Sequence, residues 1–182
     1  LPSDHESLGY AAHLVWRNPT FSDHPEIRKA QRSGDLPAAV RVATVQYQQR
    51  RIKTFEEFAT QIEYFVDIAA DYRSDFVVFP ELITLQLLSI ENKPLSPSDS
   101  IRTLTKYTTQ YRDLMHKLAV SYNINIIGGS HPTQMDDGDI HNICYVALRD
   151  GSIHEREKIH PTPNEVHWWK IAGGDAAEAI PT

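Results

Sequence analysis

Glu81 is the first residue that could do chemistry, because of what precedes it. It follows Phe76-Val-Val-Phe-Pro80, an apolar stretch that we predict to be a strand. Pro80 has no N–H to donate to a strand ladder, so the strand is expected to end there and Glu81 to leave the sheet. Ligands of open α/β sheets bind beyond the carboxyl ends of the strands, which makes Glu81 a candidate general base. The alternative is a solvated loop acid that closes the strand.

Lys158 and Glu165 form a second candidate group. They stand seven positions apart, and Pro161 and Pro163 stiffen the chain between them by fixing two φ angles. An ammonium held close to a reacting carbonyl stabilises the oxyanion that develops on it. A carboxylate nearby can hold that ammonium in place. The alternative is a surface lysine and glutamate that flank a proline-rich turn.

The elements that must position these residues follow a β-α-β-α-β-β-β order. We predict strands at 40–47, 76–79 and 124–127, a helix capped by Thr54 and Glu57, a long amphipathic helix over 101–119, and a hairpin of 142–148 and 152–158 around Asp150-Gly151. This order predicts an α/β sheet with early parallel crossovers and a later antiparallel part.

Two segments are predicted along the chain. Residues 1–39 show no sustained periodicity and are broken by prolines, so we interpret them as a lead-in or linker segment. Residues 40–182 are long enough to form one domain with a core. From Gly173 onward the chain thins to glycine, alanine and proline. We expect the domain to be incomplete at this C-terminal end.

Composition narrows the class of protein. The 182 residues carry a formal net charge of −6, with 41% hydrophobic and 23% charged residues, which is typical of a soluble globular protein. Scattered Lys and Arg argue against nucleic acid and membrane as partners. The single cysteine, Cys144, excludes an intramolecular disulfide and favours the cytoplasm. The nine histidines show no regular ligand spacing, so we interpret them as solvated or core residues.

Four short motifs in order carry a family resemblance. They are Phe79-Pro-Glu81, Gly128-Gly-Ser130, Asn142 with Asp150-Gly151, and Lys158-Ile-His160. Together they resemble the nitrilase, or carbon–nitrogen hydrolase, superfamily from position 40 to about 175. The stretch Thr162-Pro-Asn-Glu165 is similar to the branch that often carries an acetyltransferase-like domain ahead of the hydrolase, with residues 1–39 as the tail of that connection.

The resemblance implies a fold and a set of roles. The fold would be the N-terminal part of an α-β-β-α sandwich of the nitrilase type. Glu81 would activate a cysteine thiol and later a water, Lys158 would stabilise the oxyanion, and Glu165 would orient Lys158. We further expect His160 to line the substrate pocket. Such proteins hydrolyse a small linear amide without metal or organic cofactor and form homo-oligomers.

The nucleophile is the missing part of this interpretation. In the family it follows the lysine on a Gly-x-Cys turn, yet no cysteine follows Lys158. Cys144 precedes the lysine in a predicted strand, so we interpret it as a small core residue with a raised pKa. We therefore expect the cysteine beyond residue 182 and no activity from this chain alone.

Two other functions stay open. One is a non-catalytic nitrilase-like binding or assembly module that lacks the nucleophile. The weaker one is a flavodoxin-like nucleotide-binding domain, which needs a glycine-rich loop after the first strand, where residues 47–52 have none. Trp168 and Trp169 are predicted to pack or to form an oligomer contact.

Overall fold

Three parallel strands form the first half of the sheet. The structure, a computed structural model, describes residues 39–182. Strands β1 (Val42–Thr44), β2 (Phe76–Val78) and β3 (Asn125–Ile127) pair in parallel in that order. This confirms the early parallel crossovers, although β1 is shorter than the predicted 40–47. The predicted lead-in segment 1–39 lies outside the described residues except for its last position.

Helix α1 (Phe55–Asp71) connects β1 to β2 and begins where its capping residues predict. The Thr54 hydroxyl accepts a hydrogen bond from the Glu57 N–H at 3.2 Å. The Glu57 carboxylate accepts from the Lys53 N–H at 2.9 Å, so only one half of the capping box is closed. The apolar stripe of α1 is buried at Phe58 and Ile62.

The long helix predicted over 101–119 is two helices. A 3₁₀ turn (Ile83–Leu87) and helix α2 (Leu88–Glu91) precede α3 (Pro97–Leu104), and a second 3₁₀ turn (Thr105–Tyr107) separates α3 from α4 (Thr108–Ser121). The Thr105 hydroxyl donates to the Arg102 carbonyl at 2.8 Å, a local bond that competes with the helix ladder. The threonines clustered around this turn also have low helix propensity, which explains the break.

Strand β5 (Ile140–Ala147) organises the second half of the sheet. It pairs antiparallel with β3, with β4 (His131–Gln134) and with β6 (Ile153–Glu157), and parallel with β7 (Ile171–Ala172). The predicted hairpin of β5 and β6 is confirmed. We did not predict β4, which contains Pro132 and no apolar alternation, or β7, which has two residues. All seven strands in the described residues belong to one sheet.

The two faces of β5 have different surroundings. Tyr145 is buried against Tyr111 of α4, with ring centroids 6.0 Å apart. Since side chains alternate along a strand, Asn142 and Cys144 lie on the face opposite to Tyr145. The helices therefore cover one face, and the other is free to line a site. No helix in residues 39–182 is long and apolar enough to cross a membrane.

Candidate active site

The structure brings three of the four predicted site residues together. Lys158 Nζ lies 2.8 Å from Glu81 Oε1 and 2.7 Å from Glu165 Oε2. Glu81 follows β2, whereas Lys158 follows β6. An ammonium between two carboxylates is a strong, charge-assisted arrangement that fixes the positions of all three groups.

Glu81 is positioned by the backbone on both sides of it. The Phe79 N–H donates to the Ile127 carbonyl at 2.9 Å, which extends the pairing of β2 with β3. The Leu82 N–H then donates to the Ser130 hydroxyl at 2.9 Å, and Leu82 has a left-handed φ of 51°. The chain thus turns sharply at Glu81, and its side chain leaves the sheet as the Pro80 position predicts.

Gly129, just after β3, allows the chain to approach Pro80 closely. Its φ is +70°, and a Cβ built there would overlap the Pro80 carbonyl oxygen. Glycine alone accepts both the left-handed backbone and the contact. The Gly128-Gly-Ser130 motif therefore positions Glu81 through its two neighbours. Gly129 leaves room for the Pro80 carbonyl, and the Ser130 hydroxyl accepts a hydrogen bond from the Leu82 N–H.

We expect Gly129→Ala to lower the free energy of unfolding by about 3 kcal/mol, because it adds a steric overlap to a strained φ. Gly138→Ala is the matched control, since Gly138 has a φ of +94° with nothing within 4 Å of its added Cβ. The control should lose only about 1 kcal/mol, the cost of the backbone conformation. Urea denaturation of both variants measures the difference, and equal losses would contradict the proposed contact with Pro80.

Lys158 is positioned by the register of the β5–β6 hairpin. Ile143 pairs with Glu157, and the Lys158 N–H donates to the Asn142 carbonyl at 2.9 Å, one position further on. Residues opposite each other in an antiparallel pair share a face of the sheet. The side chain of Lys158 therefore lies on the same face as that of Asn142.

Glu165 is positioned by a helix cap that we did not predict. The Thr162 N–H donates to Glu165 Oε2 at 2.7 Å, and the Glu165 N–H approaches Thr162 Oγ1 at 3.4 Å. This is the capping-box pattern Thr-x-x-Glu, with Pro163 in the first turn. It precedes a single π-helical turn, Glu165–Trp169. The signal was in Thr162-Pro-Asn-Glu165, which we interpreted as a stiff link and as a family motif but not as a helix cap.

The electrostatics of the site keep Lys158 and Glu165 charged. Burial lowers the pKa of Lys158, but hydrogen bonds with Glu165 and Glu81 outweigh it, so the pKa lies above its ordinary value. Burial likewise raises the pKa of Glu165, but the Lys158 ammonium and the Thr162 N–H outweigh it and hold that pKa below its usual range. Lys158 is therefore an ammonium and Glu165 a carboxylate at neutral pH.

A cleft of about 420 Å³ opens beside the trio. Its lining residues come from the strand ends and from the hairpin face described above: Phe79, Glu81, Ile127, Gly129, Ser130, Asn142, Cys144, Arg156, Glu157 and Lys158. The Glu81 side chain is 56% exposed, whereas that of Glu165 is 4% exposed. Glu81 can therefore reach a ligand in the cleft, while Glu165 acts from behind Lys158.

Cys144 contributes to the cleft wall and is partly exposed. We interpreted it from the sequence as a core residue, and the structure instead brings it to the surface of the cleft. Burial raises the pKa of its thiol, as expected from its place within β5. A thiol with a raised pKa is a weak nucleophile at neutral pH, because the thiolate is the reactive form.

Neither His160 nor His131 lines the cleft. His160, the fourth predicted site residue, is exposed and is not among the cleft residues, so its role stays a prediction. His131 is buried between Thr84 and Thr108, and burial lowers its pKa to about 3. Within residues 39–182, no three His, Cys, Asp or Glu side chains form a group that could hold a metal ion.

The two tryptophans differ in their surroundings. Trp169 is partly buried and packs against the core, as predicted for a packing residue. Trp168 is 57% exposed. The oligomer contact expected of this pair remains a prediction.

Sequence comparison finds relatives of this chain. The profile of the carbon-nitrogen hydrolase family matches residues 41–179. A probable hydrolase of Bacillus subtilis (strain 168), YhcX, is 44% identical over 182 residues, which are all of this chain and 34% of that protein. The chain thus spans about a third of the length of this curated relative.

Comparison with solved structures supports the same fold. A carbon-nitrogen hydrolase from Helicobacter pylori G27 matches with a TM-score of 0.59 and 18% identity, covering 75% of this chain and 45% of that one. Nit3 of Saccharomyces cerevisiae, a member of branch 10 of the nitrilase superfamily, matches with a TM-score of 0.60 and 20% identity, covering 78% and 51%. An amidase from Nesterenkonia sp. matches with a TM-score of 0.61 and 14% identity, covering 79% of this chain and 51% of that one. The fold is the α/β fold of the nitrilase superfamily, and the chain belongs to the carbon-nitrogen hydrolase family.

Proposed function

We propose that this chain supplies the acid and the amine of a thiol amidohydrolase that cleaves the carbon–nitrogen bond of a small linear amide. The cysteine nucleophile comes from a segment beyond residue 182. One observation supports the proposal: Lys158 Nζ lies within 2.8 Å of Glu81 and 2.7 Å of Glu165, at the wall of a cleft. A base and a fixed ammonium are the two groups that an attacking thiol needs.

The unused hydrogen-bonding positions of Glu81 and Lys158 support a role for each residue in the reaction. Both contacts of Glu81 use Oε1, and Oε2 has no hydrogen-bond partner among residues 39–182, so Oε2 takes the proton of the thiol. The thiolate attacks the amide carbonyl. Lys158 carries three N–H donors and two of them bind the glutamates, so the third is available to the oxyanion.

The second half of the reaction reuses the same base. Protonated Glu81 gives its proton to the amide nitrogen, the carbon–nitrogen bond breaks, and ammonia leaves a thioester. Glu81 then takes a proton from water, and the resulting hydroxide attacks the thioester. The collapse releases the carboxylic acid and returns the proton to the sulfur. Glu165 stays ionised throughout and keeps Lys158 in place.

The choice of an amide and of a thiol has further support. A mutant of the amidase from Nesterenkonia sp. AN1 has been solved in complex with butyramide, and a second mutant has the acetamide moiety of fluoroacetamide added to its active-site cysteine. In this chain the one thiol is that of Cys144, whose raised pKa makes it a poor nucleophile. We also propose a homo-oligomeric, cytoplasmic protein.

The complete protein tests the proposal by alkylation. We expect iodoacetamide to abolish ammonia release from butyramide in step with the labelling of one cysteine outside residues 1–182. Peptide mapping by mass spectrometry identifies the labelled residue. Cys144 should be labelled slowly, and Cys144→Ala should keep full activity and full sensitivity to alkylation.

Two outcomes would refute the proposal. If inactivation follows the labelling of Cys144, the nucleophile is Cys144 and lies within this chain. A complete protein that releases no ammonia from any small amide and resists alkylation would favour the non-catalytic nitrilase-like binding or assembly module instead.

A further inference from the structure

Asn142 connects the two glutamates of the site. It is 2% exposed, and its side-chain nitrogen lies 3.0 Å from Glu81 Oε1 and 3.3 Å from Glu165 Oε1. Lys158 binds the same two carboxylates. The four side chains therefore form a closed ring in which two donors alternate with two acceptors.

The orientation of the Asn142 amide follows from its neighbours. Its NH₂ group carries two hydrogens, one for each carboxylate. The opposite orientation would set Oδ1 against two carboxylate oxygens. In the observed orientation Oδ1 is buried and has no hydrogen-bond partner among the described residues. A buried acceptor without a partner is unfavourable, so the two bonds to the glutamates must account for the presence of an amide there.

The charge balance of the site explains why the Asn142 amide is needed in addition to the Lys158 ammonium. Two carboxylates around one ammonium leave an excess negative charge, and like charges in a small space favour the uptake of a proton. A neutral N–H donor stabilises both ionised carboxylates without adding charge. It also engages Oε1 of Glu81, so that Oε2 stays available to a ligand in the cleft.

We propose that Asn142 is a positioning residue that holds the carboxylates of Glu81 and Glu165 on opposite sides of Lys158 and directs the free oxygen of Glu81 to the substrate. This inference rests on the proposed amide hydrolysis. It assigns to the amide a separate task, which is to keep the carboxylate of the base in its reactive orientation.

The test replaces the amide in the complete protein, with butyramide as substrate. Asn142→Leu keeps a similar volume and removes both donors. We expect kcat to fall by about 10²-fold, with KM changed by less than about 3-fold, because a misplaced or protonated base affects the chemical step rather than binding. The acidic limb of the pH–rate profile should move to higher pH, since the carboxylates lose a donor that favours their ionised form.

Controls separate this role from a structural one. Asn142→Ser replaces Asn142→Leu if the leucine variant folds poorly. Serine has one hydroxyl donor and causes no steric conflict, so the same changes are expected to a smaller extent. Asn125→Leu is the matched control: Asn125 is 3% exposed and accepts a bond from the Arg149 N–H at 3.1 Å, away from the cleft. It should lower the melting temperature without moving the acidic limb.

The other ionisable groups of the cleft are the same in all variants. Arg156, Glu157 and Cys144 line it, and His141 pairs with Glu157 at 3.1 Å; none of these four side chains is changed in the Asn142 variants or in the control. A movement of the limb that is confined to the Asn142 variants therefore reports on the glutamate pair.

The outcomes distinguish this inference from the proposed function. If Lys158→Ala abolishes turnover while both Asn142 variants keep the wild-type kcat and acidic limb, the positioning role is wrong and the hydrolase proposal stands. If the wild-type protein releases no ammonia, or Lys158→Ala keeps full turnover, the hydrolase proposal is wrong and the positioning role falls with it.

Discussion

Glu81→Gln and Lys158→Ala should each lower kcat/KM of the complete protein for a small linear amide by about 10³-fold. The first substitution would keep the shape of the side chain, but the new amide could accept no proton, so the thiol would stay protonated. The second substitution would remove the third N–H donor that faces the oxyanion. Initial rates of ammonia release, measured over a series of butyramide concentrations, check both losses.

These two losses must be separated from unfolding. Lys158→Ala leaves Glu165, which is 4% exposed, without its charged partner, so some loss of stability is expected and the melting temperature is measured in parallel. Lys106→Ala is a suitable control, because the exposed Lys106 pairs with Glu91 and neither residue lines the cleft. It should retain wild-type rates. A folded Glu81→Gln or Lys158→Ala variant with wild-type rates would refute the assigned roles.

The 182-residue chain by itself should release no ammonia from butyramide above the background of buffer. Its cleft contains Glu81, the proposed base, and the ammonium of Lys158, but the one thiol available is that of Cys144, whose pKa is raised by burial. A thiol that stays protonated attacks an amide too slowly to be observed. A coupled ammonia assay at high protein concentration measures the rate.

Cys144→Ala gives the control for this second expectation. If the chain alone hydrolyses the amide and the activity disappears in Cys144→Ala, the nucleophile lies within β5 and the proposed external cysteine is wrong. Activity that persists in Cys144→Ala would exclude a thiol mechanism for the chain altogether.

Local patterns predicted much of the fold correctly. Strand β2, helix α1 and the β5–β6 hairpin each have a signal within a few residues: an apolar run ended by Pro80, a cap at Thr54, and the turn at Asp150-Gly151. Such signals concern neighbours in sequence, whose interactions form wherever the rest of the chain lies.

Other elements could not be predicted in this way. Strand β4 has little apolar pattern of its own and exists because β5 offers it hydrogen-bond partners from His131 to Gln134. The break between α3 and α4 has a local component in its threonines, but Tyr107 at the break also stacks on Phe55 of α1. Tertiary contacts of this kind outweigh the helical periodicity that suggested one long helix.

For the site itself, the order of amino acids determined the types of the proposed reacting groups, the turn that places Lys158 opposite Asn142, and the cap that holds Glu165. Only the tertiary structure decided that Glu81 meets them, because it lies 77 positions from Lys158 and 61 from Asn142. That meeting requires β3 to pair with β2 on one edge and with β5 on the other. It also requires the Gly129 backbone to approach Pro80, and pairings this distant depend on the packing of the whole sheet rather than on any local pattern.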